Sequence, residues 1–294
     1  MTNSSTAAQT SSADRQVTTV TPQSIEFSPS RNRSAQQRFT KRVRAVAWAA
    51  LPALTFVLIL CAWALATALL EIPSYLLPGP FEVFDRLFAD SDLLWRNGLQ
   101  TMTVIAIGFC LTVLIAIPLG LLIALSPLAK RTVYPPVMLL QLVPKIAIAP
   151  LLLVWLGFGM ENKVLLVILI SFFPLVLASV SGFSILDDRL LYLTSSMGAS
   201  GWQTFWYLRF PAALPIIFAG IKTSATIAIT AALVAEFIGS NSGLGFVLLR
   251  ASGTLDTQMI FAVLVVLTGI GIGVNYLVEF IEWLLTPWQR AKTT

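Results

Sequence analysis

The chain has 294 residues, 56% hydrophobic and 11% charged, with a net charge of +5. Soluble domains carry about 25% charged residues, so this composition belongs to an integral membrane protein, and continuous apolar runs select helices over a β-barrel. Histidine is absent, and Cys61 and Cys110 lie far apart inside apolar runs. That excludes His-based metal sites, Cys–His nucleophiles and CxxC redox pairs, and no metal site is expected.

Residues 1–44 are rich in Ser, Thr and Gln and read as a disordered cytoplasmic tail. They lack the apolar core and small-residue cleavage site of a signal peptide. The tail ends in Arg31, Arg33, Arg38, Lys41, Arg42 and Arg44, a basic arm that anchors topology and touches anionic lipid. With no folded domain to present those charges, nucleic-acid binding is not expected.

Residues 45–290 are expected to form one transmembrane domain with six spans, at about 45–70, 98–125, 133–157, 163–185, 212–238 and 258–286. Pro135, Pro136, Pro144, Lys145 and Pro150 interrupt the third, which predicts a kinked or broken span. Basic residues gather in the tail, at Lys130 and Arg131, at Arg189 and Arg209, and at Arg290 and Lys292. Residues 71–97 instead carry Glu71, Glu82, Asp85, Asp90 and Asp92. The positive-inside rule therefore places both termini and the 187–210 loop in the cytoplasm.

Ionisable groups inside spans are functional candidates because burying them in hydrocarbon is costly. Lys145 sits among prolines, where it suits either an anionic solute or a structural ion pair, and Gln141 lies one turn earlier on the same face. Glu236 is near the outer end of the fifth span, as a rim residue or an outer-gate group. Lys222 is expected to snorkel to the interface, and Glu279 and Glu282 to lie on a solvated face. Trp155, Trp283 and Trp288 fit interfacial belts. Small residues over 211–232, and Gly269, Gly271 and Gly273, permit close helix contact. "GSNSGLG" at 239–245 reads as a turn that meets a binding protein or closes an outer gate. No G-x-x-x-x-G-K-[ST] occurs, so nothing here cradles nucleotide phosphates.

The 187–210 loop is unusually ordered for a connection. Asp187 or Asp188 can cap a short helix that Gly198 ends, and Ser200 with Gln203 fits a capping box. Trp202, Phe205, Trp206, Arg209 and Phe210 share one helical face, and Pro211 is expected to stop that turn. Two readings stay open on these grounds: an interfacial helix at the headgroups, or a face that docks another protein.

Gly198, nine residues and then Leu208-Arg209-Phe210-Pro211 match part of the loop pattern of ATP-binding-cassette importer permeases. "LLPGPFEVF", "VPKIAIAPLLLVWLGFG", "MGASGWQTFWYLRFPAALPIIFAGIK" and "AEFIGSNSGLG" extend the match over roughly residues 50–290. The chain resembles the nitrate/sulfonate/taurine branch of that family. The resemblance implies an all-α membrane protein with about six transmembrane helices, the type I importer permease fold, and cytoplasmic coupling helices between spans 4 and 5. It implies an inner-membrane protein that works as a homodimer, two cytoplasmic ATPase subunits and an extracytoplasmic solute-binding protein. No cofactor is expected on this chain; ATP and Mg would belong to the ATPase. By the same resemblance the ATPase-coupling residues are Asp187, Asp188, Tyr192, Thr194, Gly198, Ala199, Ser200, Trp202, Phe205, Trp206, Arg209 and Pro211, and the path residues Gln141, Lys145 and Glu236.

The family's Glu-Ala-Ala triplet is replaced by Tyr192, Leu193 and Thr194, which leaves Asp187 or Asp188 to supply the acidic contact. The resemblance implies a solute that is a sulfonate, nitrate, another small anion or a vitamin-precursor heterocycle. The alternative, a secondary transporter or channel, calls for paired repeats or a chain of intramembrane carboxylates, and neither is evident. A membrane-embedded enzyme has few candidate catalytic groups here.

Overall fold

The computed structural model describes residues 51–288; the expected N-terminal tail, the start of the first span and the basic C-terminal residues lie outside them. Contacts divide the chain into a unit up to Leu58 and a main body from Ile59 onward. The described residues are helical, without strands. Five helices are long and apolar enough to cross a membrane: α1 (Leu51–Leu69), α3 (Ser91–Leu125), α7 (Met160–Phe183), the run Gly201–Gly239, and α12 (Thr257–Leu285).

The prolines act as expected in the third span. It is a broken pair, Pro127–Leu140 and Lys145–Leu156, bent by 79°. Its pieces are α4 (Pro127–Thr132), α5 (Tyr134–Leu140), a 3-10 turn (Lys145–Ile148) and α6 (Ala149–Leu156). Proline occupies the first turn of α4, α5 and α6, where its missing N–H has no intrahelical partner to lose. Between the expected spans, α2 (Pro80–Ala89) and α11 (Leu244–Gly253) are also helical, and α3 begins at Ser91 rather than near Gly98.

In the main body α7 lies between α3 and the fifth span. Val104 and Ile105 of α3, Val167 of α7 and Ala228, Ala231 and Ala232 form one buried cluster. Gly220 backs directly onto Ala178, so any side chain there would collide. Polar side chains fasten the same three helices at mid-span. Thr112 and Ser171 hydroxyls lie 3.0 Å apart, and the Ser224 hydroxyl donates to the Ser171 carbonyl at 3.0 Å. Of the three glycines expected to ease close packing in the last span, Gly269 and Gly273 face open space and only Gly271 approaches a neighbour, Ile229.

The two ends of the body differ. At the hairpin end, α11 joins the fifth span to α12, and Leu94, Leu244, Val247, Met259 and Val263 form a second core. Arg86 of α2 binds Asp256 at 2.7 Å there. At the elbow end, the loop 187–210 connects α7 to the fifth span, seated on Phe183, Ala213 and Ile217.

Candidate functional site

The elbow is built by local signals. α8 (Asp188–Ser196) starts where the Asp187 carboxylate accepts the Arg189 amide at 2.9 Å. It ends at Gly198, whose φ of +78° a side-chain-bearing residue adopts only with strain. The Gly198 amide donates to the Ser195 carbonyl at 3.0 Å and that of Ala199 to Thr194 at 3.1 Å, closing the last carbonyls of α8. The expected capping box then starts α9 (Gly201–Thr204). The Ser200 amide donates to Gln203 Oε1 at 2.8 Å, and the Gln203 amide to Ser200 Oγ at 3.3 Å.

Pro211 does not stop the turn. The helix continues from Gly201 through Pro211 and Pro215 to Gly239, because residues Phe205–Arg209 form a π-turn in which the Phe210 amide donates to the Phe205 carbonyl. The widened turn shifts the hydrogen-bond ladder ahead of α10 (Phe210–Gly239), and Pro211 falls in its first turn. The elbow and the fifth span are thus one rod.

The expected aromatic face is split by this turn. Phe205 turns inward between Phe183 and Phe210, while Trp202 and Trp206 pack edge-on at 5.6 Å and stay exposed. The outward edge is Tyr192, Met197, Trp202 and Tyr207, at 76%, 78%, 71% and 83% exposure. Met197 and Tyr207 are absent from the sequence-derived set. Where the family's acidic triplet would stand, Tyr192 and Leu193 are exposed and Thr194 turns in, its hydroxyl 3.5 Å from that of Thr204. Leu121, Leu125, Leu191, Trp202, Phe205 and Arg209 line a groove of about 550 Å³ beside the elbow. Arg209 has no ion-pair partner among the described residues.

The three expected path residues are separated. Gln141 and Lys145 meet at the break of the third span. There the Lys145 ammonium donates to the Gln141 carbonyl at 2.6 Å and lies 4.7 Å from the Phe173 ring centre. It closes carbonyls freed by the broken helix, and it makes no ion pair among the described residues. The Gln141 side-chain amide lies 3.7 Å from the Met138 sulfur.

Glu236 is at the hairpin end and fully buried. Its Oε2 accepts the Thr101 hydroxyl at 2.8 Å and the Gly245 amide at 2.9 Å. Thr101 in turn accepts the Leu244 amide at 2.9 Å, and Asn97 Oδ1 accepts the Gly243 amide at 2.8 Å. This clasp fixes the turn of "GSNSGLG" onto α3. Gly243, at φ +98°, lies against the Glu236 carboxylate with no room for a Cβ. Asn97 and Thr101 carried no motif in the sequence, because their partners are remote along the chain.

Lys222 does not end free at an interface. Its ammonium binds Glu282 of α12 at 2.6 Å, tying the fifth span to the last.

Comparison with known proteins agrees with this architecture. Residues 116–291 match the model of a family described as binding-protein-dependent transport system inner membrane component. The chain is 33% identical over 260 residues to a riboflavin transport system permease of Chloroflexus aurantiacus, covering 86% of this chain and 97% of the other. It is 31% identical to a probable ABC transporter permease of Haemophilus influenzae, over 80% and 94% of the two chains. Against the taurine transport system permease of Escherichia coli it is 30% identical, over 77% and 85%. A chain of the MetNI methionine ABC transporter, in an inward-facing conformation, shares the fold. Its TM-score is 0.57 at 19% identity, covering 67% of this chain and 98% of that one. The type I permease fold, the helices long enough to span a membrane and the family match converge on one assignment: the chain belongs to the binding-protein-dependent transport system inner membrane components, as an ABC importer permease.

Proposed function

We propose that the elbow at 187–210 is the coupling element through which cytoplasmic ATPase subunits drive this permease, two ATPases on a pair of identical permease chains. The observation that carries this reading is the elbow's construction: a capped bend at Gly198, an exposed edge of Tyr192, Met197, Trp202 and Tyr207, and a continuous helix into the membrane. Exposed aromatic and methionine side chains around Arg209 suit an apolar groove with an acidic rim. The contact made elsewhere in the family by an acidic triplet passes here to Tyr192 and Leu193, with Asp187 held as a helix cap and Asp188 left for polar contact. ATP and Mg would be bound by the ATPase.

The basic residues Lys130, Arg131, Arg189 and Arg209 share the elbow end, and Glu82, Asp85, Asp90 and Asp92 flank the hairpin end. That distribution supports an elbow in the cytoplasm and a hairpin end that meets the solute-binding protein. The solute is a small polar molecule of the kinds that relatives are named for, among them taurine, aliphatic sulfonates, riboflavin and formylaminopyrimidine.

The test is co-purification of an ATPase on a tagged permease, wild type against Gly198→Glu. The wild type is expected to bring down the ATPase. The variant, strained at a positive φ, is expected to remain folded in the membrane while ATP hydrolysis no longer follows addition of binding protein in reconstituted vesicles. Unchanged coupling in the variant would sink the reading of the elbow as the coupling element.

A further inference from the structure

Most polar groups inside the spans are consumed by the fold: Lys145 by backbone carbonyls, Glu236 by the hairpin clasp, Thr112, Ser171 and Ser224 by one another. One set is not. Thr223, Thr226 and Thr230 of α10 are exposed at three- and four-residue spacing and so lie on a single face. Lys222 adjoins that face, one turn from Thr226. On α12, Thr268, Asn275 and Glu279 are exposed, and spacings of four and three carry that side on to Glu282. The Lys222–Glu282 pair joins the two stripes at the α10–α12 contact, beside the buried packing of Phe218, Ala225 and Val278. Four hydroxyls, an amide, a carboxylate and an ion pair facing hydrocarbon would carry a penalty of several kcal/mol. Such a face belongs against water or protein.

The chemistry of the face has a sign. The Thr223 hydroxyl donates to Ala219 at 3.0 Å, Thr226 to Lys222 at 3.1 Å, and Thr268 to Leu264 at 2.7 Å, all backbone carbonyls. Those three hydrogens are spent, so these outward oxygens can only accept, whereas the Thr230 hydroxyl and the Asn275 amide keep hydrogens to donate. Glu279 adds an exposed carboxylate, and the Lys222 charge is matched by Glu282. From Thr223 to Thr230 the stripe rises about 10 Å, the length of a small solute.

We propose that this α10–α12 face lines the solute path and that it favours solutes bearing N–H donors or an ammonium group, zwitterions included, over bare anions. The inference rests on the permease reading and adds the location and chemistry of the path.

The test uses the full chain with Cys61→Ser and Cys110→Ser, assembled with its ATPase in proteoliposomes, carrying Thr226→Cys. Two water-soluble thiol reagents serve as probes: trimethylammonioethyl and sulfonatoethyl methanethiosulfonate. Thr226→Cys is expected to react with both, roughly fivefold faster with the cation, the size of one nearby charge in water. Adding Glu279→Gln should bring the two rates within about twofold. Equal or faster reaction with the anion overturns the chemistry. Labelling only by a lipid-soluble maleimide, or spontaneous disulfides between copies of the Thr226→Cys chain with no reagent access, overturns the path by making the face lipid-exposed or a sealed seam. Thr230→Cys supplies the same readout if Thr226→Cys does not assemble. Loss of the permease reading would appear separately, as failure of the ATPase to co-purify while labelling proceeds.

Discussion

Glu236 owes its place to residues that hold it from two other elements. Burying a carboxylate is costly unless hydrogen bonds offset it, and here Thr101 and the Gly245 amide share Oε2 while Oε1 has no hydrogen-bond partner among the described residues. Replacing Glu236 by Ala leaves the buried Gly245 amide unpaired, at about 1–3 kcal/mol, and leaves the Thr101 hydroxyl only the Asn97 carbonyl. Glu236→Ala is therefore expected to lower the unfolding temperature in detergent by several degrees. Glu236→Gln, which keeps an acceptor oxygen, should lose less than half as much. Equal losses would mean that charge, not acceptance of the two hydrogen bonds, holds the clasp. The sequence identified Glu236 as polar in a span but could not say what it binds, since Thr101 is 135 residues away. Lys145 carries the same lesson with the opposite reach. Its partners, the carbonyls of Gln141 and Val143, are local, yet only the path of the broken backbone turns them toward its ammonium.

At the scale of elements, the elbow was half legible. Gly198 and the Ser200/Gln203 box are short-range devices, and the structure realises both. The π-turn was not legible, because proline ordinarily interrupts a ladder and nothing in Phe205–Arg209 announces one wider turn that absorbs it. That turn also decides which aromatics face outward. Deleting Tyr207 is expected to restore an α-ladder and rotate α9 by about 100° against α10, the angle of one residue. The deletion variant should insert and fold, by protease resistance, yet bring down little ATPase. Full recovery of ATPase would show that the register of the elbow is immaterial to docking.

Across the whole molecule, the run Gly201–Gly239 connects the elbow to the Glu236 clasp, about 58 Å at 1.5 Å per residue. A rod of that length moves its ends together when its middle is pinned, and the hydroxyl links of Ser171 and Ser224 pin it against α7. Loosening the hairpin end with Gly243→Ala, where a Cβ would strike the Glu236 carboxylate, is thus expected to raise ATP hydrolysis in the absence of binding protein about two- to fivefold. An unchanged basal rate in a folded, assembled variant would show that the ends move independently. The fold shared with a MetNI chain, at 19% identity, places the common architecture in the helices while leaving the polar side chains free to differ.

The sequence by itself determined the membrane class, the apolar segments, the break in the third span and the capped bend of the elbow. Each of these depends on composition or on neighbours within a few residues: hydropathy, proline geometry, a glycine at positive φ, a Ser–Gln box. Only the tertiary structure decided which polar groups in the spans are spent and which remain open. Lys145 and Glu236, the conspicuous charges, are engaged by groups of the fold itself, whereas the threonines of α10 stand exposed beside the Lys222–Glu282 pair. The physical reason is that a hydrogen bond in hydrocarbon is decided by what lies across the helix, and that neighbour is set by packing between elements far apart in the chain.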